Sequence, residues 1–286
     1  MTPFILPMLA HALDNEQFLD AEGWIAEPKL DGQRIQVHIH HHRTVGLYSR
    51  TGRVITSSPG LAWVRELAWK RPEGILDGEL CVGTGLNGTA PEVASAKSAG
   101  ADASFLVLFD CLSVAGLRIT HHPWGERREQ LTLFLAGQQN PRIKLTVTHA
   151  QPRALWTAWT KMGGEGIVLK RAESLYQAGK RSWDWLKKKV ESTADVVVIG
   201  LTDKPTYTSG GYRGGEVALV YGFYDPATGQ VVRAGQGLHV GSRKDLAPLI
   251  GRIAEVRHAG ELASGGLKSA QFVRWRDDKR KEDCTR

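Results

Sequence analysis

Residues Glu27 to Arg34 read EPKLDGQR, which sets Lys29 between a carboxylate, an Asp31-Gly32 turn and Arg34 five residues on. A lysine so placed has the surroundings of a nucleophile. A free lysine has a pKa of about 10.4, so only about one in 2,500 is neutral at pH 7, and bringing that pKa near 7 is worth about 4 kcal/mol towards an attacking amine. Cationic neighbours such as Arg34 and the later lysines are expected to supply the shift, and a bound metal adds to it. The ordinary alternative is an exposed lysine ahead of an Asp-Gly hairpin turn. The rest of the chain has to decide between them.

At 286 residues the chain is long enough for two domains with substantial cores. It is 42% hydrophobic, but no apolar run approaches the roughly 18 residues a membrane helix requires. A soluble globular protein is therefore expected, and no membrane association. The start, MTPFILPMLAHAL, is interrupted by Pro3 and Pro7, and no basic residue precedes Lys29. It lacks the charged region of a secretion signal, so a cytoplasmic location is expected. Cys81, Cys111 and Cys284 are far apart, odd in number and without a Cys-x-x-Cys pair, which argues against a disulfide framework and a structural zinc site. The net charge of +7 points to a polyanionic partner. From Ser192 onward 14 Lys and Arg face 11 Asp and Glu, and the part before it holds 23 against 19. Both parts are basic, which suits a ligand gripped between them.

The first two thirds alternate β-rich runs with helical stretches. Residues 33 to 39 alternate polar and apolar, His40 to Thr44 read as a turn, and 45 to 50 return as a second strand, a hairpin directly after Lys29. Residues 60 to 70 have helical spacing, 75 to 82 read as a strand with a glycine kink, and 105 to 112 as a buried strand closed by Phe109-Asp110. Stretches 127 to 135 and 152 to 162 look helical, and 166 to 170 is a strand. After Lys187-Lys188-Lys189 the pattern changes to strands at 194 to 201, 216 to 224 and 230 to 235, separated by glycine-rich turns such as Ser209-Gly210-Gly211, with a helix expected at 243 to 257. Short, regularly spaced strands of this kind suit a small barrel, and the boundary is placed near Glu191. The histidines at 38, 40, 41 and 42 are assigned to a hairpin tip rather than a metal, since consecutive strand residues cannot all face one ion.

The order Lys29-Leu30-Asp31-Gly32-Gln33-Arg34 resembles the signature of the covalent nucleotidyltransferases, which comprise ATP-dependent DNA ligases, RNA ligases and messenger-RNA capping enzymes. Further segments match the ligase pattern in order from Glu27 to Lys279: Ser49-Arg50-Thr51-Gly52, Asp77-Gly78-Glu79-Leu80, Phe109-Asp110, Glu165 to Lys170, Arg181 with Trp185 to Lys189, and Arg276-Asp277-Asp278-Lys279. That co-linearity is more specific than any one match. The resemblance implies that Glu27 reads the adenine amino group, Arg50 meets the ribose or the 5′-phosphate, Glu79 the ribose or a metal, and that Phe109 stacks on adenine. It implies further that Glu165 serves a divalent metal, that Lys187 and Lys189 point to the α-phosphate with Lys188 on the opposite face, that Arg181 binds the nucleotide, and that Arg34 joins the two lysines in stabilising charge on the phosphate oxygens. Arg276, Asp278 and Lys279 would orient the leaving pyrophosphate, with Asp31 among the catalytic residues beside Lys29. The barrel's usual Gly-Thr-Gly stands here as Gly235-Gln236-Gly237, and Val273 occupies a position where proline is frequent.

The fold expected is α+β: an adenylation (nucleotidyltransferase) domain with antiparallel sheets and flanking helices over 1–191, then a small β-barrel OB-fold domain over 192–286. The activity expected from the resemblance is sealing of nicked duplex DNA by a monomer, using ATP, a lysyl-AMP adduct and Mg2+, for which Mn2+ can substitute, in a bacterial or phage setting. An RNA ligase, a GTP-dependent capping enzyme and a non-catalytic nucleic-acid-binding barrel protein are the alternatives.

Overall fold

The computed structural model describes residues 3–13, 16–82, 104–203, 207–208, 211–212, 216–262 and 265–286. It divides into two compact units, Met1–Lys189 and Val190–Arg286, two residues ahead of the boundary expected near Glu191. The turn expected at Ser209-Gly210 lies outside the described residues.

In chain order the strands of the first unit are β1 (Leu9–Ala12), β2 (Trp24–Pro28), β3 (Gln33–His40), β4 (Arg43–Ser49), β5 (Gly74–Val82), β6 (Ser104–Val114), β7 (Leu117–Arg118), β8 (Ile143–Leu145), β9 (Gly166–Arg171) and β10 (Arg181–Lys189). They form two sheets. One runs β1-β10-β9-β2, and the other runs β4-β3-β5-β6-β7 with β8 paired to β6. Alternation explains how each sheet is used. In the second sheet Ile35, Val37, Leu76, Leu80, Leu106 and Leu108 pack with Leu131 and Phe134 of the helix Trp124–Leu135. In the first, Ala26, Ile167, Leu169 and Leu186 pack with Leu155 of the helix Pro152–Lys161. The residues between them, Glu27, Val168, Lys170, Lys187, Arg34, Glu79 and Phe109, are left for a pocket.

The second unit holds β11 (Ser192–Leu201), β12 (Tyr207–Thr208), β13 (Gly211–Tyr212), β14 (Glu216–Asp225), β15 (Gln230–Ser242), β16 (Ile253–His258) and β17 (Gln271–Trp275). Its main sheet is antiparallel, in the order β15-β14-β11-β16-β17, around a core including Val196, Val198, Leu219, Tyr221 and Val256. No ladder among the described residues joins β15 to β17.

Several local expectations are corrected. The helix expected over 243–257 is one turn, Arg243–Leu246, capped by Ser242, then a 3-10 turn at Ala247–Leu249 and the strand β16. Pro248 cannot continue a helix and Gly251 takes φ 92°, which ends the helical path. The alternation in Ile253-Ala254-Glu255-Val256 then pairs with β11. Likewise 60–70 yields only Pro59–Leu61 and Ala62–Arg65 as helical turns. The hairpin tip is the pair His41-His42, at φ 48° and 63°, the left-handed conformation that a two-residue hairpin turn demands. Phe109 does not close its strand: β6 continues to Val114. No helix among the described residues is long and apolar enough to cross a membrane.

Candidate active site

Two glycines bring the key side chains together. A Cβ on Gly32 would lie 2.3 Å from the Leu80 carbonyl, so only glycine lets the turn after Lys29 pass against β5 beside Glu79. Gly166 has φ 149°, and a Cβ there would lie 2.1 Å from the Lys188 carbonyl, so glycine is again required where β9 meets β10. Gly166 pairs in register with Lys189, and its carbonyl accepts the Lys29 amide at 2.8 Å. The backbone thereby holds Lys29, Glu165 and Lys189 at one corner. Lys29 Nζ donates to Glu165 Oε2 at 2.6 Å, and Lys189 Nζ lies 2.9 Å from the other carboxylate oxygen. Burial pushes the Glu165 carboxyl up, but charge and hydrogen bonds from the two lysines outweigh it and hold the group below the usual range.

This corner belongs to a cavity of ≈ 520 Å³ lined by Glu27, Lys29, Arg34, Arg50, Glu79, Phe109, Lys170, Trp185, Lys187 and Lys189 among others. Glu27 and Lys29 share a face because they lie two residues apart at the end of β2, and Lys187 and Lys189 share one on β10 for the same reason. Burial, then the charges of Lys189 and Arg181, lower the Lys187 pKa. Lys188 turns the other way, to Glu16 at 2.9 Å and the Trp156 ring. Asp31 is buried in the turn between two lining residues, Leu30 and Gly32. Arg181 is exposed and donates to the carbonyl of Ala10, itself a lining residue.

Two expectations about charge are revised. The nearest charged partner of Lys29 is the anionic Glu165 rather than a cation. Arg34 is not an uncommitted phosphate ligand: Nε and Nη2 each donate to Asp77 at 2.7 Å, and Tyr176 donates its hydroxyl to the same carboxylate at 2.7 Å. Burial works against the Arg34 charge, yet Asp77 holds its pKa above the usual value. The guanidinium also lies 4.6 Å from the Phe109 ring centroid. Burial raises Glu79 to about 7, and among the described residues no ion pair engages its carboxyl.

Arg276, Asp278 and Lys279 belong to the second unit. Arg276 donates to Asp278 and to Asp195 of β11, and Lys279 Nζ lies 3.6 Å from Asp195. The hydrogen bond from Arg276 is the largest influence on Asp278, whose pKa is lowered.

Sequence reasoning placed Asp77 and Lys170 in matching segments but gave neither a role, and it missed Tyr176. Lys170 is fully buried, 2.7 Å from Glu27 and within 4.4 and 4.7 Å of the Trp185 and Phe109 rings. The signal was available, because a lysine ending the apolar strand GIVLK two residues after Val168 shares its face. Asp77 and Tyr176 gave none, since their partner is contributed by a different strand.

Residues 7–189 match the family model of the ATP-dependent DNA ligase domain. A DNA ligase of Aeropyrum pernix is 28% identical over 98% of this chain and 57% of its own length. A DNA ligase of Hyperthermus butylicus is 27% identical over 98% and 56%. The chain thus spans a little under three fifths of these relatives. Among solved structures, mycobacterial DNA ligase D complexed with ATP and MES matches at 25% identity and TM-score 0.59, over 99% of this chain and 98% of that one. A Lig E DNA ligase described as binding DNA with a minimal scaffold matches in fold, at 19% identity and TM-score 0.64, over 94% and 98%. With well over half its length under that family model, and every pocket residue named above within the matched span, the chain belongs to the ATP-dependent DNA ligase family.

Proposed function

We propose that the chain seals 3′-hydroxyl/5′-phosphate nicks in duplex DNA through a lysyl-AMP intermediate. The observation that carries this reading is the convergence in one pocket of Lys29, three further lysines, Glu79 and a buried Glu27 beside an aromatic ring. Residues 1–191 would act as the adenylation domain and 192–286 as an OB-fold domain, in a monomeric cytoplasmic enzyme of bacterial or phage origin.

Lys29 exchanges its contact with Glu165 for the α-phosphate of ATP, gives up one proton to solvent to become the attacking amine, and releases a second to solvent as the phosphoramidate forms. Its Nζ forms the P–N bond as the bond to the β-phosphate oxygen breaks, and pyrophosphate leaves. Lys187 and Lys189 offset the charge on the phosphate oxygens, while Arg50 and Arg181 meet the ribose side or the nick's 5′-phosphate. Arg34, fixed by Asp77, supports the same positive field and the Phe109 ring. AMP then passes to the 5′-phosphate, and the 3′-hydroxyl displaces it to close the strand. Arg276, Asp278 and Lys279 would orient pyrophosphate in the first step.

The donor set fits a magnesium ion, for which manganese can substitute. Magnesium takes one or two carboxylates and completes its shell with phosphate oxygens and water. Among the described residues Glu79 makes no ion pair, and Glu165 becomes available when Lys29 departs. Such an ion would polarise the phosphate oxygens.

Mass spectrometry of the protein after ATP and magnesium, then after a chase with a nicked DNA duplex, tests the reading. An AMP-sized adduct that disappears as the nick closes is expected. An adduct that discharges only on RNA, or forms only from GTP, would overturn it.

A further inference from the structure

Strand β10 carries a row of side chains that the mechanism above uses only in part. Gln177 Nε2 donates to Ser182 Oγ at 2.8 Å and to Asp184 Oδ2 at 3.0 Å, and Ser182 donates to the same carboxylate. Ser182 and Asp184 therefore lie on one face of the strand, and Arg181, Trp183 and Trp185 take the other. Trp185, Lys187 and Lys189 line the pocket, so this second face is the pocket's own. Read in alternate positions it is Arg-Trp-Trp-Lys-Lys, with no carboxylate.

Trp185 is buried, whereas Trp183 is 69% exposed. The Trp183 ring lies flat against His11, with centroids 3.8 Å apart and planes 6° from parallel. His11 follows Ala10, a pocket-lining residue whose carbonyl accepts from Arg181. The ladder is interrupted here, since Ala10 pairs with Ser182 and His11 with Leu186, and such a bulge re-aims the side chains it carries. One face of the Trp183 ring is thus propped by His11 and the other stands open beside the pocket. An exposed tryptophan gains little from folding; held in one orientation, it is a preformed contact surface.

Length decides the partner. The nine residues of β10 span about 26 Å at roughly 3.3 Å per residue, which matches about eight nucleotide steps along one strand of B-DNA. The row outruns a mononucleotide. Cations interrupted by an open aromatic ring complement a polyanion with apolar sugar and base surface between its charges. We infer that Trp183, propped by His11, is a DNA-positioning residue whose open face packs on the sugars and base edges of the strand flanking the nick, while Arg181 takes a neighbouring phosphate. The inference rests on the nick-sealing reading above and names a residue that seats the duplex. Trp183 lies about 13 Å along the strand from Lys187, so it touches none of the groups that form the adduct.

The test uses the full chain and a nicked DNA duplex, measuring binding by fluorescence anisotropy over a salt series, KM and kcat for sealing, and the rate of adduct formation from ATP. Trp183→Ala is expected to weaken duplex binding and raise its KM by about tenfold, with kcat and adduct formation at wild-type values. The slope of log affinity on log salt stays the same, because no phosphate contact is lost. Trp183→Phe restores most of the affinity, and His11→Ala, which removes the prop but keeps the ring, costs about threefold. A folded Trp183→Ala that binds and seals the duplex like the wild type overturns the inference, as does one that instead loses a dimer in sedimentation, which would give the face to a second copy. An equal loss in adduct formation also overturns it, since the ring would then support the nucleotide pocket. Should Trp183→Ala fail to fold, a His11→Ala chain with undiminished duplex binding overturns the inference in its place. A wild type whose duplex binding depends on Trp183 but which never carries AMP on Lys29 overturns the proposed reaction and leaves this inference standing. One that carries AMP and binds the duplex independently of Trp183 overturns this inference alone.

Discussion

Two lysine-glutamate pairs meet at one pocket, which Lys29 lines in one pair and both Glu27 and Lys170 line in the other. Lys29 meets Glu165 at 2.6 Å and Lys170 meets Glu27 at 2.7 Å, with carboxylates 5% and 4% exposed. Distance does not separate them. The lysines do: Lys29 is 21% exposed and Lys170 is 2%. Glu165 also has a second cation, Lys189, to hold its charge when Lys29 leaves, whereas Glu27 has Arg128 only at 3.9 Å. Breaking a sealed pair strands a buried charge at a cost of about 3–5 kcal/mol. A pair reached by water and backed by a spare lysine can open during a reaction. On the proposed reading, the first arrangement would serve chemistry and the second would hold the base-facing Glu27 in place.

Removing the open lysine should have the largest effect. Lys29→Ala is expected to leave no detectable AMP adduct in a single-turnover assay, and an adduct formed at the wild-type rate would assign the open pair a structural role. Glu165→Gln keeps the size of the side chain but releases both lysines from their charge partner. Adduct formation should slow by about a hundredfold with the fold intact by circular dichroism, and no change would mean that the exposed pair needs no anion.

Lys279→Ala separates the first step from the later ones. It should slow adenylation at least about tenfold while the sealing of pre-adenylated DNA changes less, and equal losses in both would remove the second unit from the first step.

Glu79 sharpens the comparison as a pocket carboxyl that pairs with no lysine among the described residues. Burial raises it to about 7 from 4.5. Below about 4.5 the folded and unfolded forms both carry the proton, so burial of the group costs nothing extra. As pH rises to about 7 the folded form must hold a buried charge, and stability is lost. Glu79→Gln should therefore raise the melting temperature at pH 8 and leave it unchanged at pH 4, a gain of up to about 3 kcal/mol; an equal gain at both pH values would contradict the cause.

The smallest effect belongs to a third lysine-glutamate pair, off the pocket. Lys188 meets a Glu16 side chain that is 55% exposed, so Lys188→Ala should cost less than about 1 kcal/mol in urea unfolding and leave adduct formation unchanged.

Much of the open pair could be read from the chain. Lys29, Glu165 and Lys189 each lie in a short motif, and residues two apart on a strand fall on one face, which also gives Glu27 and Lys187. The sealed pair was only half legible: Glu27 stood out, while Lys170 looked like the end of an apolar strand, and Arg128 reaches the same carboxylate from a helix with no motif of its own. Arg34 was read as facing phosphate because its partner Asp77 comes from β5 and the ladder aligning them is long-range. In the second unit the helix expected over 243–257 became a strand, since Pro248 and Gly251 interrupt the helical path and β11 offers Ile253 to His258 a partner edge.

The most direct test of the contrast between the two pairs is tandem mass spectrometry of peptides from the protein after incubation with ATP and magnesium. AMP should be found on Lys29 and absent from Lys170, Lys187 and Lys189. AMP on any of those three, or on no lysine at all, would contradict the account.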